Sequence, residues 1–183
     1  MRAKILNIYV IAIVLGIFTG TAGSFLILAI SGLSHLMTNG FSYAHTHGWP
    51  VGIISAIVSM TMIYVAWLLV RVFAPEASGS GVQEIEGALA HQRPVFWRRV
   101  LLVKFFGGVL SISSNLVVGR EGPTIQIGGN LGAMLAEWLG LSRHHRDALI
   151  AAGSAGGLAT AFNAPLAGIL FVLEEMRSEF RFS

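Results

Sequence analysis

Cysteine is absent from this sequence, which excludes a disulfide framework and any metal site built on thiolates. Charge is also scarce, because Asp, Glu, Lys and Arg make up only 11% of the 183 residues, whereas soluble globular proteins carry about 25%. None of these four residue types occurs between Lys4 and Arg71. That stretch is far longer than the ~20 apolar residues needed to cross a bilayer. We therefore expect an integral membrane protein.

The catalytic motifs of intramembrane enzymes are missing as well. Asp147 is the only aspartate, so an aspartyl dyad is impossible. The sequence contains no H-E-x-x-H, and residues 153–157 (GSAGG) lack the G-x-S-x-G pattern of a serine hydrolase. We therefore expect that the protein is not an enzyme.

Histidine occurs in two close pairs, and neither pair favours a metal site. His45 and His47 lie two residues apart in a polar segment, which is weak evidence for metal binding. His144 and His145 are adjacent, so a helix would point their rings about 100° apart. We expect no metal site and no cofactor.

Positive charge is concentrated in a few places. The net charge of +3 is small, and many of the cations lie at Arg71 and within residues 93–104. This distribution is typical of a cytoplasmic membrane face rather than of a nucleic-acid surface, so no nucleic-acid partner is expected. Arg2 and Lys4 precede the first apolar run, and Arg71 follows the second. This arrangement predicts that these two basic ends lie inside the cell and that the polar segment 38–50 between the runs lies outside.

Long apolar runs predict the membrane helices. These runs cover residues 5–37, 51–70 and 100–118, and a basic, aromatic turn at 93–99 (RPVFWRR) precedes the third. Lys104 lies near the start of the third run. We interpret it as a residue whose aliphatic chain is buried and whose ammonium reaches the membrane interface.

The segment 117–139 (VVGREGPTIQIGGNLGAMLAEWL) combines a glycine-rich break with a helix. Pro123 is placed at the first helical position, where its missing N–H costs nothing. We expect a helix over 124–139 whose first N–H groups have no intrahelical partner and attract an anion. The unpaired groups are those near Gly122, Thr124 and Ile125. Glu121 lies at the same end, so its carboxylate could compete with the anion.

A second interruption, residues 77–90 (ASGSGVQEIEGALA), joins a Gly-Ser-Gly turn to a helix too short to span the bilayer. Such a segment is expected to be re-entrant, because irregular backbone is tolerated in a membrane where it lines a cavity. Ser80 has two interpretations: with Gln83 it has the capping-box pattern and only caps the helix, or its hydroxyl faces an anion. Glu84 and Glu86 fall on different faces of the helix.

Small residues dominate segment 148–161 (ALIAAGSAGGLATA), which suits close helix packing. An Asn-Ala-Pro break follows, and a second helix is predicted over 166–176. Glu174 and Glu175 end that helix, and carboxylates on an apolar membrane helix are functional candidates by default. The alternative is that they lie at the interface beside Arg177.

Three motifs in this order resemble those of a known family. The segments 79–82 (GSGV), 119–123 (GREGP) and 161–168 (AFNAPLAG), the last followed by Glu174 and Glu175, resemble the CLC chloride channels and proton/chloride antiporters, most of all the bacterial exchangers. The resemblance covers nearly the whole chain. It implies an all-α integral membrane fold of broken, tilted and re-entrant helices. It also implies a homodimer with one pore per subunit, and exchange of chloride for protons across the cell inner membrane or plasma membrane.

The resemblance implies roles for individual residues as well. Ser80 would bind the central chloride through its hydroxyl. Glu121 would be the external gating glutamate, which fills the outer anion site or swings away when protonated. Glu175 would be the internal proton-transfer glutamate that marks exchangers, with Glu174 the next candidate and Glu86 a supporting acidic residue. The backbone N–H groups that line the anion path are expected around Gly79, Ser80, Gly81, Arg120 and Gly122.

The sequence departs from the family in two respects. Gln83 stands where the family commonly has proline, which adds an N–H donor and a polar side chain near the inner mouth. A family subunit consists of two inverted halves, so residues 1–183 are expected to be a single membrane domain that forms the first half, with the second half absent. The alternatives are a truncated fragment that does not transport, a half-subunit that pairs with another chain, and an uncoupled voltage-gated chloride channel.

Overall fold

The computed structural model describes residues 2–175, and over that range it consists of seven α-helices and one short 3₁₀ turn. The helices are α1 (Arg2–Thr46), α2 (Val51–Phe73), α3 (Val82–Leu89), α4 (Trp97–Ser113), α5 (Glu121–Trp138), α6 (Arg143–Phe162) and α7 (Pro165–Glu175), and the 3₁₀ turn is Pro75–Ala77. The expected all-α class is confirmed. Met1 and residues 176–183 lie outside the described residues, so the last residue of the helix predicted over 166–176 and the alternative involving Arg177 fall there.

Helix α1 is longer than the sequence indicated. Residues 38–46, predicted to belong to a polar loop, continue the helix. The hydroxyl of Thr38 donates to the carbonyl of Ser34 at 2.9 Å, and that of Thr46 donates to a carbonyl three residues earlier at 2.8 Å. A hydroxyl that bonds to the preceding turn allows a polar residue to remain helical. The prediction failed because it treated polarity alone as a loop signal.

Two helices have the length and hydropathy of a membrane span. They are the Tyr9–Thr46 part of α1 and the whole of α2. Helix α2 continues three residues past the predicted end at 70. Arg71 therefore lies in its last turn, where its guanidinium packs over the ring of Trp67 at 4.9 Å. A cation in the last turn interacts favourably with the carbonyl end of the helix dipole, so Arg71 is compatible with a helical position.

Helix α4 is displaced from the predicted run 100–118. It begins at Trp97, inside the expected basic turn, and ends at Ser113. Asn115 follows with a φ of +64°, a left-handed conformation that asparagine tolerates and that stops a helix. The apolar residues Leu116 and Val118 are thus part of an exposed loop that leads to α5.

Helices α5 and α6 form the centre of the molecule. Every residue from 124 to 136 in α5 is buried. Gly128 of α5 lies so close to the carbonyl group of Gly153 in α6 that a side chain on either glycine would overlap the other backbone. The close packing expected for the small residues of 148–161 is therefore confirmed.

A sharp break separates α6 from α7. Helix α6 begins at Arg143, so the adjacent His144 and His145 lie in its first turn. Its C-cap residue is Asn163, with a left-handed φ of +53°, and Pro165 is the first residue of α7. Asparagine tolerates the left-handed conformation of this C-cap, and proline is favoured as the first residue of a helix. The predicted break is therefore confirmed.

Candidate functional site

The loop before α3 contains two glycines in the left-handed region of backbone space. Gly79 has a φ of +65° and Gly81 a φ of +92°, values that other L-residues adopt only with strain. Gly81 is the N-cap of α3, so the capping box with Ser80 at the cap is not formed. The exposed hydroxyl of Ser80 instead accepts a long hydrogen bond, 3.4 Å, from the N–H of Val82. Its own O–H remains available to donate to a ligand.

Helix α5 begins at Glu121, three residues before the predicted start. Pro123 is its third residue, which still lies in the first turn where N–H groups lack intrahelical partners. The expectation that the N–H of Thr124 is unpaired is wrong, because that group donates to the carbonyl of Arg120 at 3.2 Å. The open end of the helix therefore presents the N–H groups of Glu121 and Gly122.

Ser80 and the open end of α5 lie in one cavity. A Cβ atom at Gly122 would lie 2.9 Å from the Cα of Ser80, so the two backbones are in direct contact. The cavity has a volume of about 660 Å³, and α2 and α4 supply its other walls. The predicted site residues that line it are Gly79, Ser80, Glu121 and Gly122.

Glu121 occupies the edge of this cavity. Its side chain is half-buried, and its carboxylate folds back over Gly119, where any side chain would collide with it. A carboxylate in the first turn of a helix interacts favourably with the N-terminal end of the helix dipole. The Glu121 carboxylate and an anion in the cavity would therefore compete for the same position at the start of α5.

The structure contradicts the prediction that the Lys104 ammonium reaches the membrane interface. Lys104 is only 5% exposed and lines the cavity rather than reaching the interface. Its Nζ donates to the carbonyl oxygens of Ala77 at 3.0 Å and of Gly79 at 2.8 Å. These bonds compensate for burying the ammonium and fix the backbone that leads to Ser80. A single cation inside an apolar run was the sequence signal for a functional lysine.

Gln126 is a second residue that sequence reasoning missed. It is 1% exposed, and its Nε2 donates to the carbonyl oxygen of Glu76 at 2.7 Å. The lone glutamine in a stretch of small and apolar residues was the available signal, because buried amides in a membrane protein need hydrogen-bond partners.

Several predicted residues lie away from the Ser80 cavity. Arg120 lines a second cavity of about 740 Å³, together with residues of α1 and the break at Asn163. Gly81 contacts Gln126 of α5. Glu174 and Glu175 are exposed at the end of α7.

Glu86 belongs to α3, whose eight residues are too few to cross a bilayer. Its side chain is half-buried. Burial, and to a lesser extent the charge of Glu175, raises the pKa of the Glu86 carboxyl. The repulsion couples Glu86 electrostatically to the end of α7. Of the predicted acidic residues, all of which lie within residues 2–175, Glu121 alone lines the Ser80 cavity.

Comparisons with known proteins give consistent matches. The family model described as "Voltage gated chloride channel" matches residues 62–183. The H(+)/Cl(-) exchange transporter ClcA of Vibrio vulnificus is 44% identical over 179 residues, which are 97% of this chain and 38% of that protein. The ClcA of Salmonella arizonae is 46% identical over 179 residues, with the same coverage. The chain therefore spans about 38% of the length of these relatives.

Solved structures with the same arrangement of helices are also found. A slow cyanobacterial Cl-/H+ antiporter superposes with a TM-score of 0.90 at 39% identity, over 95% of this chain and 41% of that chain. A CLC-type fluoride/proton antiporter superposes with a TM-score of 0.72 over the same shares of the two chains. Its sequence identity is 21%, so this second match bears on the fold alone.

Proposed function

The chain belongs to the voltage gated chloride channel family, and from this premise we propose that its function is the exchange of chloride for protons across a membrane. The names of its relatives, H(+)/Cl(-) exchange transporters, support the proposal. The observation that carries it is the single cavity lined by Ser80, Glu121 and Gly122. Hydroxyl and backbone N–H donors are what a dehydrated anion requires.

The geometry suggests how an anion and a proton are linked. Chloride accepts hydrogen bonds from the Ser80 hydroxyl and from the N–H groups at the start of α5. The ionised carboxylate of Glu121 is attracted to the same helix end and repels the anion. Protonation removes that charge, so the glutamic acid leaves and chloride enters. One titrating group that alternates with the anion supplies the coupling.

Transport of the proton also requires a second proton-carrying carboxyl group, on the other side of the anion site from Glu121. We assign this role to Glu175, whose exposed carboxylate at the end of α7 lies apart from the residues that line the Ser80 cavity. Its charge is the smaller cause, after burial, of the raised pKa of the Glu86 carboxyl. Glu174, its exposed neighbour, is the alternative donor.

The proposed assembly follows from the family. We propose that residues 1–183 form a single membrane domain, the first of two inverted halves, and that the transporter is a homodimer in the cell inner membrane or plasma membrane. The share of the antiporter chain that superposes, 41%, supports the first statement. Gly79, Gly81 and Arg120 are proposed to contribute backbone N–H groups to the anion path.

Liposomes containing the full-length protein test the proposal. The vesicles are loaded with chloride, diluted into low-chloride buffer, and clamped at zero membrane potential with potassium and valinomycin. Proton/chloride exchange predicts that chloride efflux drives protons inward, so that the external pH rises, and that an uncoupler collapses this gradient. Chloride efflux without proton movement would indicate an uncoupled channel. No efflux above that of empty vesicles would contradict anion transport altogether.

A further inference from the structure

Gln126 is a buried amide that contacts both sides of the Ser80 loop. Its Nε2 donates to the carbonyl oxygen of Glu76, at 2.7 Å, on the upstream side of the loop. On the downstream side, a Cβ atom at Gly81 would lie 2.6 Å from both the Cβ and the Oε1 of Gln126. Gly81 has a φ of +92°, so both the backbone conformation and the close approach of Gln126 favour glycine at this position. The side chain thus defines where residues 76–81 lie.

The register of α5 explains why this contact bears on the anion site. Residues 122 and 126 are four apart, so they share one face of the helix. Gly122 supports the backbone of Ser80, and Gln126 supports the adjacent Gly81. The same face of the same helix therefore sets the position of the loop relative to Glu121, which begins α5.

The chemistry at this position is specific to an amide. Only the NH₂ group can face the carbonyl of Glu76, because a carbonyl oxygen accepts and does not donate. The Oε1 of Gln126 is buried and has no hydrogen-bond partner among residues 2–175. Such an acceptor is costly to bury, so packing of the loop alone would favour an apolar side chain of the same length. The glutamine at this position indicates that its hydrogen bond to the Glu76 carbonyl offsets the free-energy cost of the unpaired Oε1.

We propose that Gln126 is a positioning residue that holds the Ser80 hydroxyl at the distance from the open end of α5 that chloride requires. The proposal rests on the proposed function, since it concerns the same anion site. It assigns Gln126 no contact with the ion. Its effect is on anion affinity and on the discrimination between anions, both of which depend on how donors are spaced around the ion.

The test compares chloride binding by purified full-length wild type and Gln126→Met, using titration calorimetry. Methionine preserves length and removes the donor. We expect the chloride Kd to rise about threefold to tenfold, because a loop that is no longer held in place must be ordered again when the ion binds. In liposomes, the half-saturating chloride concentration should rise by the same factor, while the maximal exchange rate changes less than about twofold. The preference for chloride over nitrate should fall.

A matched control is available one turn along α5. Asn130 is also a buried amide, 3% exposed, but its Nδ2 donates to the backbone carbonyl of Gln126 within the helix, at 2.8 Å. Asn130→Leu should leave the chloride Kd unchanged, even if it lowers the unfolding temperature. Gln126→Asn, which keeps the amide but shortens its reach, should weaken chloride binding as Gln126→Met does. If the Gln126→Met variant does not fold, chloride binding by Gln126→Asn is measured in its place.

The outcomes separate the two proposals. If the wild type binds chloride and the folded Gln126 variants bind it equally well, the positioning role is overturned while the proposed function stands. If Asn130→Leu weakens binding as much as Gln126→Met, the effect is one of general stability and the positioning role is again overturned. If the wild type itself binds no chloride, the proposed function fails and this inference fails with it.

Discussion

Gly122 lies directly against the backbone of Ser80. A Cβ atom at position 122 would lie 2.9 Å from the Cα of Ser80 and would overlap its carbonyl group. The contact joins the loop before α3 to the first turn of α5, two segments that are 42 residues apart in sequence. Because no side chain intervenes, the hydroxyl of one and the N–H of the other can bind the same small anion.

This contact predicts that Gly122→Ala impairs the site. The added methyl group must push the loop and the helix apart, and overpacking of this kind costs about 1–3 kcal/mol of stability. The chloride Kd, measured by calorimetry, should rise at least about tenfold because the two sets of donors no longer converge. Gly52→Ala in α2 is the control, since a Cβ atom there would meet nothing within 4 Å among residues 2–175. Equal effects of the two substitutions would contradict the role of the Gly122 contact.

Glu121→Gln is expected to abolish proton coupling while anion passage persists. Glutamine has the shape of the neutral acid but cannot carry a proton. In liposomes, proton movement driven by a chloride gradient should fall at least about tenfold, with chloride efflux retained. The pH dependence of chloride efflux should flatten, because the group that alternates with the anion no longer titrates. Persistent coupled proton flux would show that Glu121 is not the gating group.

The proposed anion site was partly predictable from the sequence because its elements are local interruptions of apolar runs. Ser80 and Glu121 stand in glycine-rich breaks, and such breaks mark irregular backbone that lines a cavity in a membrane protein. The sequence did not reveal that Gly122 touches Ser80, because a contact between distant segments leaves no periodicity. The exact start of α5 was also missed, since Pro123 is compatible with any position in the first turn.

The hydrogen-bond partners of Lys104 and Gln126 could not be predicted for the same reason. These partners lie 25 to 50 residues away in the chain. A lysine in an apolar run is compatible with both a buried position and one at the membrane interface, and only the fold decides between them. The error for residues 38–46 was different, because there a local rule about polar residues was overridden by hydroxyl bonds within the helix.

Glu175→Gln is expected to stop proton movement and to preserve chloride flux. The residue lies at the end of α7, apart from the residues that line the Ser80 cavity. The same substitution should lower the pKa of Glu86 toward its ordinary value without restoring it fully, because burial is the larger cause of the upward shift. Infrared titration of the carboxyl groups measures that change. Glu174→Gln is the matched control, and uphill proton movement in the Glu175 variant would transfer the role to Glu174.

Lys104→Met is expected to weaken both the fold and the anion site. Methionine fills similar space but leaves the carbonyl oxygens of Ala77 and Gly79 without their donor, and each unpaired buried acceptor costs about 1–3 kcal/mol. The loss of a positive charge from the cavity wall also removes an attraction for chloride. Thermal unfolding should therefore occur at lower temperature, and the chloride Kd should rise. Lys104→Arg separates the two effects, because it keeps the charge but cannot reproduce the geometry of the ammonium. It should retain more chloride affinity than Lys104→Met at a similar loss of stability. Equal affinities of the two variants would mean that the charge of Lys104 does not act on the anion and that the residue serves only to hold the loop.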